Sequence, residues 1–109
     1  MVQPGDSLGV AVVVTLGEDG MVLIEPDGSA WHGAVAAHGD YPVGSGDAFL
    51  AGLLTALTAN TSASWPEAAR LALGAAAANA AVPGAARLDP ARARELAAQA
   101  EIRPLDRAA

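Results

Sequence analysis

The sequence contains no cysteine, which excludes disulfides, thiolate metal sites and a cysteine nucleophile. Aromatic residues are scarce, at 4% of the chain, while 28 of the 109 residues are alanine. A core with so few rings has to come from close packing of small side chains. Basic residues are also few, 6 against 12 acidic ones, giving a net charge of -6 with no cluster of Lys or Arg. No surface of this composition could track a phosphate backbone, and a nucleic-acid partner is not expected. No stretch of about 18 unbroken apolar residues occurs, and Met1 to Asp6 lack the positive region and apolar run of a signal peptide. These absences lead to the expectation of a cytoplasmic protein without membrane association. At 109 residues the chain is long enough for one core, taken as one domain over 1–109, but short for an enzyme enclosing both a nucleotide and a second substrate.

The first half is rich in strand signals. Gly9 to Leu16, with Val10, Val12, Val13 and Val14, predicts a buried strand. Gly17-Glu18-Asp19-Gly20 supplies a turn, Met21 to Glu25 a second strand, Pro26-Asp27-Gly28 another turn, and Ser29 to Val35 a third strand. After Gly39-Asp40 the period changes. Phe49, Leu50, Leu53, Leu54 and Leu57 recur at helical spacing, predicting a helix from near Gly46 to near Asn60. Ser64 as N-cap and Pro66 in the first turn open a second, alanine-rich helix ending at Pro83-Gly84. Asp89-Pro90 opens a third helix reaching about Glu101, followed by a polar tail from Pro104 to Ala109.

Gly44-Ser45-Gly46-Asp47, directly before the first helix, is the main candidate site. Glycines allow a tight turn and leave backbone N–H groups open to an anion, and a helix N-terminus adds the field of its aligned peptide dipoles. A charged carboxylate in the first turn gains about 0.3 to 1 kcal/mol from that field, and it can accept a hydroxyl proton. The same four residues also describe an ordinary turn with an acidic first-turn residue, and in isolation that is the simpler explanation. Thr15-Leu16-Gly17-Glu18-Asp19-Gly20, upstream, is likewise open to the simple interpretation of a strand and a hairpin turn.

Taken together, in this order and before the helix sequence Ala48-Phe49-Leu50-Ala51-Gly52-Leu53, these motifs resemble the PfkB family of carbohydrate kinases. That family includes ribokinase, fructokinase, 1-phosphofructokinase and tagatose-6-phosphate kinase, and the resemblance spans nearly the whole chain. It implies an α/β fold, the C-terminal portion of a ribokinase-like (Rossmann-like) architecture, with short strands followed by three helices. By resemblance, Gly44, Ser45 and Gly46 form an anion hole and Asp47 is the catalytic base, while Thr15, Gly17 and Gly20 border the nucleotide. Gly74 and Asn79 lie in a segment similar to the family helix that, with the Pro83-Gly84-Ala85 loop, closes over the adenine. For Asn79 a nucleotide contact and a helix-packing hydrogen bond both stay open, and Gly74 is read as a packing residue. The implied ligands are ATP with Mg2+ and a sugar or sugar phosphate.

Two departures qualify the resemblance. Tyr41-Pro42-Val43 stands where the family commonly has Asp-Thr before the glycines. Pro-Val resembles the sugar-phosphate branch, and loss of the Asp argues against the monovalent-cation activation of the ribokinase branch. Family members are also roughly three times as long, and the lid strands, most sugar contacts and the Asn-x-x-Glu magnesium motif have no counterpart here. The expected function is ATP-dependent phosphoryl transfer to a sugar or sugar phosphate, incomplete in this chain by itself. The alternatives are a non-catalytic nucleotide-binding module or truncated remnant, and a plain interaction domain. A homodimer or a complementing chain is the expected partner, because a sheet cut from its parent leaves an open edge. His32 and His38 are read as surface residues, Trp31 and Trp65 as packing or edge residues, and Arg87, Arg92 and Arg94 as a solvated helix face. No metal site and no Ser-His-Asp triad is assigned.

Overall fold

Four strands and three helices make up the described part of the chain, β1 (Val12–Thr15), β2 (Met21–Ile24), β3 (Ala30–Ala34), α1 (Ser45–Ala59), α2 (Trp65–Ala80), α3 (Pro90–Gln99) and β4 (Glu101–Pro104). The structure is a computed structural model that describes residues 10–36, 44–59, 64–84 and 88–105. Gly9, His38, Gly39-Asp40, Tyr41-Pro42-Val43, Ala85, Arg87 and the end of the expected tail lie outside the described residues.

The strands form one sheet in the order β1-β2-β3-β4, with every neighbouring pair antiparallel. Two tight connections set its register. At the first, Gly17 and Gly20 have φ of 60° and 93°, and Thr15 faces Met21 across the hairpin. A Cβ at Gly20 would lie 1.9 Å from the Gly33 carbonyl oxygen, so only glycine allows β3 this close. At the second, Gly28 N–H donates to Glu25 O, Ser29 N–H donates to the Asp27 carboxylate, both at 2.8 Å, and Ile24 pairs with Ala30.

The helices start where local chemistry says they should. Ser64 Oγ accepts from Glu67 N–H at 3.2 Å at the head of α2, and Asp89 Oδ1 accepts from Ala91 N–H at 3.1 Å before α3. In both helices proline occupies the first turn, where its missing N–H costs nothing. α2 is the central helix and contacts both α1 and α3 through small residues. An added Cβ at Gly52 would lie 3.1 Å from Ala72 Cα and Ala75 Cβ, and one at Gly74 only 2.3 Å from Ala93 O. Met21 and Leu23, on alternate positions of β2, join Phe49, Leu53, Ala69, Ala72, Leu73 and Ala100 in the buried core.

Two expectations are corrected. The third helix does not run to Glu101. Ala100 has φ −67° and ψ 140°, and Glu101–Pro104 then pairs with β3 as a fourth strand, where the end of the helix and, from Pro104, a polar tail were expected. Arg70 secures this exit by donating from α2 to the Ala100 carbonyl and to the Ala97 carbonyl, which also accepts the Ala100 N–H. The second correction concerns β1, expected to be buried. Val12 and Val14 are 38% and 49% exposed, because they point to the face of the sheet away from the core that Val13, Met21 and Leu23 face.

Candidate functional site

The start of α1 is built by its own sequence. Gly44 has φ 85°, a conformation that favours glycine, and its carbonyl accepts the first helical hydrogen bond, from Ala48 N–H at 2.9 Å. The N–H groups of Ser45, Gly46 and Asp47 therefore stand ahead of the first intrahelical bond and point out of the helix end. Gly46 is exposed, and a Cβ added there would meet nothing within 4 Å. Packing among the described residues does not require glycine at this position, so its effect is to keep the helix end open. Asp47 is exposed in the first turn, where the helix field favours negative charge.

A groove of about 390 Å³ runs between β1 and α1. Val13 and Thr15, on alternate positions of β1, line one side with Ala11 just before it, and Gly46, Leu50 and Leu54 line the other. Two motifs far apart in sequence, the one ending β1 and the one opening α1, thus meet on one surface. The groove is mostly apolar, with Leu50 and Leu54 54% and 52% exposed, and it reaches the helix end at Gly46.

The remaining site residues fall into two groups. Asn79, on α2, is fully buried and donates from Nδ2 to Ser45 Oγ at 3.2 Å, which ties the alanine-rich helix to the glycine loop. Gly17 is exposed at the start of the turn after β1, whereas the conformation of Gly20 is accounted for by that turn and by its contact with Gly33. His32 stays partly exposed at the surface, as expected, and makes a specific bond there. It is half-buried, and its Nε2–H donates to Asp19 O at 2.8 Å, fastening β3 to the same turn. Nothing in the local pattern around His32 announces this cross-strand clamp. Trp31 is half-buried against the core, its Nε1–H donating to Glu25 Oε2 at 2.6 Å.

Among the described residues, no group of three His, Cys, Asp or Glu side chains could hold a metal ion, and no helix is long and apolar enough to cross a membrane. The donors at the start of α1 suit an anion, namely backbone amides and a hydroxyl next to an open glycine.

Residues 3–92 match the family model for pfkB family carbohydrate kinases. A search of curated proteins gives no significant match. Among solved structures, a protein assigned as a phosphofructokinase from Staphylococcus aureus is similar with a TM-score of 0.75 and 24% identity, over 90% of this chain and 31% of that one. Phosphofructokinase-2 from Escherichia coli, solved in complex with potassium, gives 0.72 and 22% over 81% of this chain and 28% of that one. Arabidopsis thaliana ribokinase, solved with ribose and ATP, gives 0.69 and 25% over 80% and 28%. The chain thus spans 28–31% of the length of these kinases. Its sheet, its helices and the glycine loop opening α1 form part of a ribokinase-like fold, and the chain belongs to the pfkB family of carbohydrate kinases.

Proposed function

We propose that this chain provides the phosphoryl-transfer end of an ATP-dependent carbohydrate kinase. The observation that carries the proposal is the open start of α1, where three backbone N–H groups stand ahead of the first intrahelical bond and Gly46 lines the groove that Thr15 also borders. Amides so placed, with the helix field behind them, stabilise the charge that develops on a transferring phosphoryl group. Asp47 lies at the same helix end and takes the proton of the acceptor hydroxyl as its oxygen bonds to the γ-phosphorus. The bond from that phosphorus to ADP breaks, and the electron pair leaves with ADP. General-base assistance of this kind contributes about 10² to 10⁴ in rate, with positioning and charge stabilisation supplying the remainder. Magnesium, arriving with ATP, would neutralise phosphate charge. Thr15, Gly17, Gly20 and Asn79 serve the nucleotide side.

Pro42-Val43 supports a sugar phosphate over a free sugar as acceptor, as in the 1-phosphofructokinase and tagatose-6-phosphate kinase branch. The lack of cysteine fits a kinase working in the cytoplasm. A second proposal is favoured by a specific observation, apolar surface left exposed on both sides of β1, with Leu50 and Leu54 on the groove side and Val12 and Val14 on the opposite face of the sheet. On this view the chain binds nucleotide but transfers phosphate only when a complementing chain or second copy covers that surface.

The test is calorimetric titration of the chain with magnesium-ATP, beside a transfer assay on a panel of hexose monophosphates and sedimentation of the free chain. Saturable binding that survives Asp47→Ala, with transfer lost in that variant, supports Asp47 as a base separate from the nucleotide site. Binding without transfer by a monomer favours the module that waits for a partner. A folded chain that fails to bind at millimolar nucleotide refutes both proposals for this chain.

A further inference from the structure

We infer that Asn79 is a positioning residue that turns Ser45 into a hydroxyl donor for the anion at the start of α1, an inference that rests on the proposed nucleotide site. Asn79 is fully exposed to none of the solvent, at 0% relative accessibility, on a helix otherwise made largely of alanine. A buried primary amide is costly unless its groups are bonded. Its Nδ2 donates to Ser45 Oγ at 3.2 Å.

The direction of this bond has a chemical consequence. A serine hydroxyl has one proton and two lone pairs, whereas an amide NH₂ only donates. Once Nδ2–H occupies a lone pair of Oγ, the serine proton has to point towards some other acceptor. Among the described residues, Ser45 Oγ bonds to Asn79 alone, and only as acceptor. Ser45 is the first residue of α1, beside the outward N–H groups of Gly46 and Asp47, so an anion held there is the acceptor in reach. The hydroxyl then acts with the amides, and its oxygen is polarised by the bond it already accepts.

The geometry is fixed from behind. Gly52 allows α1 to approach Ala72 and Ala75, and Gly74 seats α2 against Ala93 and Ala97 of α3. Asn79 therefore cannot drift relative to Ser45 without opening two close helix contacts.

A double-mutant cycle tests this, with magnesium-ATP titrated into wild type, Asn79→Asp, Ser45→Ala and the double variant, and thermal melts run alongside. A carboxylate at position 79 keeps the shape but accepts instead of donating, so it draws the Ser45 proton inwards, away from the ligand. The expected loss of affinity from Asn79→Asp exceeds the loss the same change causes in Ser45→Ala by about tenfold, the factor for one hydrogen bond to a charged group. Charge repulsion by the new carboxylate is present in both backgrounds and cancels. Should Asn79→Asp not fold, Asn79→Ala replaces it, with an expected loss of about threefold that disappears when Ser45 is already alanine. Equal losses in both backgrounds would show that Asn79 only packs the helices, and would overturn the inference while leaving the nucleotide site standing. A wild-type chain that does not bind overturns the site and the inference together, before any variant is compared.

Discussion

Replacing Gly46 with valine separates the fold from the site. Gly46 is exposed near the start of α1, and the space its Cβ would enter is empty to 4 Å, so no described residue has to move. Helix propensity favours valine over glycine by a few tenths of a kcal/mol, and a change at an open surface position stays within about 0.5 kcal/mol. The thermal midpoint should then shift by no more than about 2 to 4 °C. Binding should respond very differently, because the branched side chain fills the part of the groove where Gly46 faces Thr15. Loss of one hydrogen bond between an N–H group and a charged phosphate costs about 1.5 to 3 kcal/mol, or about 10- to 150-fold in affinity. Circular-dichroism melts and magnesium-ATP calorimetry on the same preparation read both quantities. Unchanged affinity in a folded Gly46→Val chain would refute an anion site at this helix end, and a collapse of the melt would refute the claim that glycine here is spare for packing.

Other expected outcomes concern the scaffold. Gly74→Ala places a methyl 2.3 Å from Ala93 O and 2.7 Å from Ala97 N, both backbone atoms, so α3 has to shift. The cost is about 1 to 3 kcal/mol, readable as a lower urea midpoint, and an unchanged midpoint would contradict the close α2–α3 contact. Arg70→Met removes the donors to Ala97 O and Ala100 O while keeping much of the side-chain bulk. A loss of about 1.5 kcal/mol in the same assay, with faster amide exchange in β4, is expected, and slow exchange would show that the cap does not hold the strand. The hydrogen bonds that Asp27 accepts from Ser29 hold its carboxyl below the usual aspartate value. Its contribution to stability is present above the unfolded value near 4 and is lost as pH falls through the lower folded value. Titration followed by NMR should place its midpoint below that of an ordinary aspartate, and a normal midpoint would mean that the Glu25–Gly28 turn does not form as described.

Much of the fold was legible because its signals are local. Ser64 with Pro66, and Asp89 with Pro90, mark helix starts through bonds that close within three residues. The glycine turns at Gly17–Gly20 and Gly28 are set by backbone freedom at single positions. β4 was not legible, since Glu101-Ile102-Arg103-Pro104 has one apolar side chain and becomes a strand only by pairing with β3, far earlier in the chain. β1 was misjudged for the opposite reason. Its run of valines reports that the segment prefers a sheet, but not whether both edges and faces are covered.

The glycine loop before α1 was visible as a candidate anion site because its glycines and the helix start adjoin in the chain. Its partners were not visible in the same way. The sequence alone determined the types of β1 to β3 and α1 to α3, the absence of thiol chemistry and the donor-rich start of α1, because each depends on residues adjacent in the chain. Tertiary structure decided that Thr15 faces Gly46 across a groove, that His32 clamps the turn at Asp19, and that Asn79 reaches Ser45. A hydrogen bond between two elements exists only at one separation and angle, and here that separation is set by small residues such as Gly52 and Gly74, which bring the helices close enough for the side chains to meet.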